Sequence, residues 1–272
     1  MNLKHGTAAA ILAGLLVYVS ALAAQTAEEV AARNAARASR VAALTASLRP
    51  ETKADWQRYE SIKQQATEDL FAEVERYLGD SFNARLATSV EIQAGLNTLL
   101  SAHKLEGYSE GAFATLVSLP TGSFLLSGLE LVEGGVWSAF RLSAYSTVQG
   151  RLLQVAYTGS DLDNHDVVTE ALRSPVPGEA WLICHGGTYG YNGTLVRVRI
   201  YAFDGTGFRT VFAPEDFKST SFPDSFELTP NGFKFHYVVP NDGTLYTDEY
   251  TLTANGPLKV SQTGCDTPEC PK

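Results

Sequence analysis

The chain has 272 residues, of which 44% are hydrophobic and 10% aromatic, and its formal net charge is -9. This apolar content is enough to build a folded core, which excludes a wholly disordered chain. The acidic balance and the scattered lysines and arginines exclude nucleic acid as a partner, because phosphate binding needs clustered positive charge.

Residues 1–24 have the pattern of a secretory signal peptide. Lys4 and His5 give a basic start, residues 8–19 form an unbroken apolar run, and residues 21–23 supply the small residues of a cleavage site. We therefore expect a secreted or periplasmic protein with no stable membrane insertion after cleavage. The alternative is an uncleaved anchor, since an apolar run of about 17 residues is at the short limit for a membrane span.

Residues 25–108 predict a helical region. An Ala-rich helix over 27–48 has few large side chains to bury, and a second helix over 52–78 is expected to end at Gly79 as a left-handed cap. Thr88 and Glu91 predict a capping box at the start of a third helix near Ser89. Each helix has an apolar stripe that we expect to pack on other helices or on a sheet. The stripes comprise Val41, Leu44 and Leu48; Trp56, Tyr59, Ile62, Ala66, Leu70, Val74 and Tyr77; and Ile92, Leu96, Leu99 and Leu100.

Residues 109–262 predict a predominantly antiparallel β domain, and residues 263–272 a C-terminal tail. Hairpins are predicted around Asp204-Gly205, around residues 230–232 and after residues 241–243, where turn residues separate apolar runs. Apolar and charged residues alternate over 195–202, which is typical of a half-buried strand. The expected fold class is α+β, with a helical N-terminal region followed by a meander that forms a sandwich, a barrel or propeller-like sheets.

The chain has three cysteines. In an oxidising compartment Cys265 and Cys270 are the natural disulfide pair, because the short segment between them contains a turn-forming proline. Cys184 lies in an apolar run that reads as a buried strand, so we expect a free, buried thiol there.

The segment 161–166 has the densest carboxylate chemistry in the sequence. Asp161, Asp163 and Asp166 place hard oxygen ligands on one loop, which is what Ca²⁺ prefers. The spacing does not match an EF-hand loop, so an acidic turn between strands is the alternative to a calcium site.

The glycine-rich segment 186–193 is the best candidate for a recognition surface. Tyr189 and Tyr191, with His185 beside them, could hold a ligand by stacking, although the tyrosine rings could instead fold back over the core. No catalytic residues are assigned, because the sequence contains no zinc-binding HExxH motif and no phosphate-binding loop.

These observations predict an exported, non-enzymatic binding or structural module of the cell envelope, whose partner is an unknown envelope or extracellular ligand or protein. One alternative is a secreted or periplasmic hydrolase that acts on a polysaccharide or peptidoglycan with two carboxylates across a sheet face. Another is a calcium-stabilised adhesion module built on the acidic loop. Apart from Ca²⁺ in that last case, no cofactor is expected.

Overall fold

The described part of the chain begins with helices and continues with strands. The structure is a computed structural model that describes residues 27–47, 53–81, 88–101, 112–133, 137–148, 151–163, 166–190, 193–215, 217–219, 226–238 and 244–265. Its helices are α1 (Ala27–Ser47), α2 (Lys53–Ser81) and α3 (Ser89–Ser101). None of them is long and apolar enough to cross a membrane. Antiparallel strands follow, which confirms the α+β class with β structure predominant.

Thirteen strands of the described residues form three antiparallel sheets, in which consecutive strands are neighbours except for β9, which pairs with β7. The first sheet contains β1 (Phe113–Leu119), β2 (Gly122–Glu133), β3 (Trp137–Val148) and β4 (Arg151–Thr158). The second contains β5 (Val167–Leu172), β6 (Ala180–Gly190), β7 (Gly193–Phe203), β8 (Phe208–Phe212) and, paired with β7, β9 (Phe217–Ser219). The third contains β10 (Phe226–Thr229), β11 (Gly232–Val238), β12 (Leu245–Thr253) and β13 (Gly256–Cys265).

Local turn chemistry explains the predicted hairpins. The β7–β8 hairpin is confirmed, and Gly205 has the left-handed φ of 96° that its turn requires. The Asp204 carboxylate accepts hydrogen bonds from the Thr206 hydroxyl and from the backbone N–H groups of Thr206 and Gly207, and these bonds lower its pKa. The β10–β11 hairpin is confirmed, as is the pairing of β11 with β12, although the predicted turn at 241–243 lies outside the described residues.

The helix ends agree with the sequence at one position and differ at another. The capping box at α3 is confirmed: the Glu91 N–H donates to Thr88 Oγ1 and the Thr88 N–H donates to Glu91 Oε2. The predicted cap at Gly79 is wrong, because α2 continues to Ser81. Gly79 lies instead inside the last turn, close to the Leu152 carbonyl of β4, where buried Leu78 holds the helix against the sheet.

A buried carboxylate joins α1 to α2. Glu73 is 3% exposed and accepts hydrogen bonds from Arg40 Nε at 2.8 Å and Arg40 Nη2 at 3.2 Å, and it also binds Arg76. Buried Arg37 approaches the same carboxylate at 3.7 Å. Burial by itself would raise the pKa of Glu73, but the hydrogen bonds and positive charges of Arg40 and Arg76 outweigh it and hold that pKa low. α1 is therefore fixed by charge as well as by buried Val41.

The helices and sheets are stacked as four layers with an apolar cluster in each gap. The first cluster joins the helices to the first sheet, the second joins the first and second sheets, and the third joins the second and third sheets. The predicted helix stripes are confirmed where their side chains are described, with Leu70, Leu96 and Leu100 fully buried in the first gap. β7 shows the predicted alternation over residues 196–200, where the apolar positions are buried and the arginines are partly exposed. Residues 201–203 are buried on both faces, because the middle sheet has a packed layer on each side.

One local feature recurs in all three sheets. The third strand carries a buried tyrosine, and the fourth strand carries one extra residue, a valine, in a β-bulge opposite it. The tyrosines are Tyr145, Tyr201 and Tyr250, and the extra residues are Val155, Val211 and Val260. Each tyrosine belongs to the cluster between its own sheet and the preceding layer. The three sheets are therefore equivalent units that face the same way along the stack.

The two ends of the stack differ chemically. At one end the helices cover the tyrosine-bearing face of the first sheet, in the position that a preceding sheet would take. At the other end the outer face of the third sheet is polar, with Lys234 opposite Glu249 and His236 opposite Thr247. The His236 ring nitrogen Nδ1 lies 2.8 Å from Thr247 Oγ1. Apart from exposed Leu258, opposite Thr251, the described part of this face offers little apolar surface for another layer.

We predict that Glu73→Gln lowers the free energy of unfolding near pH 7, because it leaves the arginines around a buried neutral group. A carboxylate with a lowered folded-state pKa stabilises the fold above its unfolded pKa, and this contribution is lost as the pH falls through the folded value. The difference between wild type and variant should therefore shrink in acid. Urea unfolding at several pH values measures it, with exposed Glu215→Gln as the control. A difference that does not depend on pH would contradict the charge argument.

Candidate functional site

Three clusters of polar and charged side chains lie at the three equivalent tyrosines. Burial raises the pKa of Tyr145 and of Tyr250 to about 12, and it also raises the pKa of Tyr201. All three hydroxyls therefore remain protonated at neutral pH and can donate hydrogen bonds. Each lies beside a carboxylate and a cation, but the three carboxylates come from different elements of the chain.

The first polar cluster joins α2 to the first sheet. Arg141 of β3 lies between two rings, 3.9 Å from the centroid of Phe71 and 4.7 Å from that of Tyr157. Its guanidinium donates to Glu68 Oε2 at 2.7 Å and approaches Glu75 Oε1 at 3.7 Å. Burial raises the pKa of Glu75 despite this positive charge. Two carboxylates of one helix thus meet on one arginine.

The second polar cluster contains part of the acidic loop. Asp161 lies in the short 3-10 helix Ser160–Leu162, where Oδ1 accepts from the Tyr201 hydroxyl at 2.9 Å and Oδ2 accepts from Arg199 Nε at 2.7 Å. Asp163 Oδ1 accepts from the backbone N–H of Phe140 at 2.9 Å. Both carboxylates attach the loop to the sheets beside it.

The remaining calcium candidate, Asp166, lies half-buried just before β5, while residues 164 and 165 fall outside the described residues. No group of three metal-ligating side chains is found in the part of the chain that the structure describes. The calcium site therefore stays a prediction from sequence.

The third polar cluster surrounds Asp248, which is 1% exposed. Its Oδ2 accepts from Lys259 Nζ at 2.7 Å and from the Tyr237 hydroxyl at 3.5 Å. The Gln262 amide donates to the same tyrosine hydroxyl at 2.8 Å. Burial, followed by the negative charge of Asp248, raises the pKa of Tyr237.

A pair of tyrosines lies beside this cluster. The rings of Tyr237 and Tyr246 are stacked, with centroids 5.6 Å apart and planes inclined at 23°, and both are half-buried. We call Tyr237, Tyr246 and Gln262 the tyrosine end. It lies at one end of the gap between the second and third sheets.

Ring contacts show which part of the second sheet lies nearest to the tyrosine end. Phe212 contacts Phe233, and further along the gap His185 stacks on Phe226 with ring centroids 4.4 Å apart. Continuing in the same direction leads along β11 to Tyr237 and along β6 to Tyr189. The backbone of Tyr189 is thus at the same end of the gap. The side chain of Tyr189 and all of Tyr191 lie outside the described residues.

Cys184 and His185 occupy successive positions of β6 and lie in different gaps. Cys184 is buried between the first and second sheets, as predicted, and burial raises the pKa of its thiol to about 12. His185 is buried on the other face, with Nε2 3.5 Å from Glu170 Oε2. Cys265 ends β13, and Cys270 lies outside the described residues, so the disulfide between them stays a prediction.

Sequence reasoning missed the Arg141, Glu73 and Asp248 clusters because their members are distant along the chain. The one signal in the sequence was a tyrosine on the third strand of each sheet. The unequal spacing of Tyr145, Tyr201 and Tyr250 along the chain hid this repeat. The calcium role of Asp161 stays a prediction, and the arginine and tyrosine that bind its carboxylate lie on β7, distant in sequence.

The described residues therefore form an α+β protein of three stacked antiparallel meanders with a helical layer at one end. A scan of the chain against protein-family models finds no match, and a search of curated proteins finds no similar one.

We predict that Tyr201→Phe lowers the free energy of unfolding by about 1 kcal/mol, because it removes the hydroxyl that binds Asp161 while the ring stays in place. Tyr157→Phe should change it by less than about 0.5 kcal/mol, since Tyr157 is exposed. Urea unfolding of both variants gives the comparison. Equal effects would show that the hydroxyl of Tyr201 contributes nothing specific to the second cluster.

Proposed function

We propose that this protein is an exported, non-enzymatic binding module of the cell envelope, and that its ligand binds at the tyrosine end. The observation that supports this most is the half-buried, stacked pair Tyr237 and Tyr246 with the Gln262 amide hydrogen-bonded beside it. Half-buried aromatic rings with fixed polar groups next to them are typical of recognition surfaces.

The chemistry of the tyrosine end favours a saccharide as the ligand. Aromatic faces pack against the C–H faces of sugar rings, while an amide, a carboxylate and an ammonium group bind hydroxyls. Gln262 and Lys259 supply the amide and the ammonium at exposed positions of β13, next to Tyr237. Polysaccharides of the envelope present such rings repeatedly, so several weak contacts can add to useful retention.

Binding is favoured over chemistry because several reactive groups already serve the fold. The Cys184 thiol is buried and protonated, Asp161 binds Arg199 and Tyr201, and Glu73 binds the arginines of the helical layer.

Face-to-face stacking of four-stranded meanders also supports propeller-like sheets among the three layouts left open by the sequence. Such stacks present their loops and strand ends to ligands.

The competing proposal, a polysaccharide hydrolase, is favoured by one observation. Glu68 and Glu75 both contact Arg141, and burial raises the pKa of Glu75, as a general acid requires. Under this alternative the wild type would release soluble sugars from an insoluble polysaccharide, and Glu75→Gln would abolish the release. The calcium-stabilised module remains a third proposal, which rests on the charge of the acidic loop.

We expect Tyr246→Ala to reduce binding at the tyrosine end by about tenfold or more, because it removes one of the two stacked rings. The measurement is cosedimentation of the purified protein with insoluble peptidoglycan sacculi and with a panel of insoluble polysaccharides. Phe208→Ala is the matched control. Phe208 is also a partly buried aromatic residue, but it pairs with Phe203 at the end of β7 that lies away from the tyrosine end.

Circular dichroism establishes that both variants are folded. The proposal fails if the wild type sediments with none of the polymers, or if Tyr246→Ala and Phe208→Ala lose binding equally. Soluble sugar release by the wild type would instead support the hydrolase.

Export gives a separate prediction. The protein recovered from its native host should lack about 23 or 24 N-terminal residues, because signal peptidase cuts after the small residues at 21–23. Intact-mass spectrometry of the soluble and membrane fractions measures this directly. A full-length species confined to the membrane fraction would show that the segment is an anchor.

A further inference from the structure

The outer edge of the first sheet has an unusual composition. Residues 152–158 of β4 contain no charged residue and no proline. Three of its side chains are exposed, namely Leu153 at 51%, Val155 at 41% and Tyr157 at 61%. Within the described residues β4 pairs only with β3, so the backbone groups on its other side form an open edge. Open apolar edges of this kind accept another strand unless charge or proline blocks them.

The equivalent strands of the other sheets have features that disfavour pairing with a further strand. β8 has only five residues and includes Arg209, and β13 includes Pro257 and Lys259. All three fourth strands lie on one side of the stack, since β8 contacts both β4 and β13. The opposite edge of the first sheet is covered, because the Leu116 N–H donates to Ser89 Oγ and the Ala112 N–H donates to Asn97 Oδ1 of α3.

We propose that β4 is the edge through which two copies of this chain pair, antiparallel across a twofold axis. The two first sheets then form one continuous eight-stranded sheet. The interface is separate from the tyrosine end, which lies between the second and third sheets.

The charge of the chain favours a second copy as the occupant. A strand laid along residues 152–158 must itself be uncharged, because this segment offers no counter-charge to a group that loses its water. The chain supplies such a strand in residues 152–158 themselves. The protein has a net charge of -9, yet this strand places no like charges against each other when two copies meet.

The faces of β4 are also compatible with a twofold axis. Leu152 packs in the helical gap, Gln154 donates to Glu75 of α2, and Tyr157 contacts Arg141 on that same side. Leu153 and Ala156 face the second sheet. Opposite residues of an antiparallel pair share a face, and one register satisfies this rule for the residues placed above. It places Leu152 opposite Tyr157 of the second copy and Leu153 opposite Ala156.

Sedimentation equilibrium of the purified chain tests the pairing. The wild type should approach the mass of two chains as its concentration rises. Val155→Lys should weaken the association by about tenfold or more, because it brings two like charges together near the axis. Val260→Lys is the matched control: Val260 is 52% exposed and is the extra residue of the equivalent bulge in β13.

The register is tested by a variant that carries both Leu153→Cys and Ala156→Cys. After oxidation, peptide mapping should recover a disulfide that joins position 153 of one chain to position 156 of the other. Cys184 is buried and does not compete. A wild type that stays monomeric at every concentration overturns the proposal. So does a dimer that survives Val155→Lys, or one that Val260→Lys disrupts equally.

Discussion

The architecture depends on a simple requirement, that each sheet bury both of its faces or make one of them polar. In every sheet the tyrosine-bearing face packs on the preceding layer, and for the first sheet that layer is helical. The stack ends where the outer face of the third sheet changes to Lys234, Glu249 and their polar neighbours. The described stack of sheets thus has helices at one end and a mainly polar face at the other.

The bulges explain where polar chemistry occurs inside this apolar stack. An extra valine in the fourth strand displaces the local pairing opposite each tyrosine, and the tyrosine hydroxyl there meets a charged pair. A buried hydroxyl must be hydrogen-bonded. The Tyr201 hydroxyl binds Asp161 from the connection between the first two sheets, and the Tyr250 hydroxyl binds Asp248 of its own sheet. The Tyr145 hydroxyl binds Ser143 and Gln154 of its own sheet, close to the charge of Glu75 from α2. The charged groups at the three tyrosines therefore stabilise the fold. For this reason the proposals above place recognition at the stacked aromatic residues and the open strand edge.

Local signals in the sequence were sufficient for several elements. Thr88 and Glu91 specify the start of α3 through contacts within one turn, and Asp204-Gly205 specifies a turn through its own backbone preferences. The free thiol of Cys184 was predictable because a small apolar residue in an apolar strand is normally buried. Gly79 failed as a helix end because the packing of Leu78 against the sheet extends α2 beyond its local stop signal.

By itself, the sequence determined the order of helices and strands, the hairpins and the apolar stripes, because these follow from interactions among residues close together in the chain. Only the tertiary structure decided which faces meet. Arg199 of β7 looked like a solvent-facing charge, yet it binds Asp161 across a layer boundary. Tyr237 and Gln262 are 25 positions apart, and they become neighbours only when β11, β12 and β13 pair. Such contacts depend on strand pairing and layer order, whose energies are summed over the whole stack and leave no pattern in a short window of sequence.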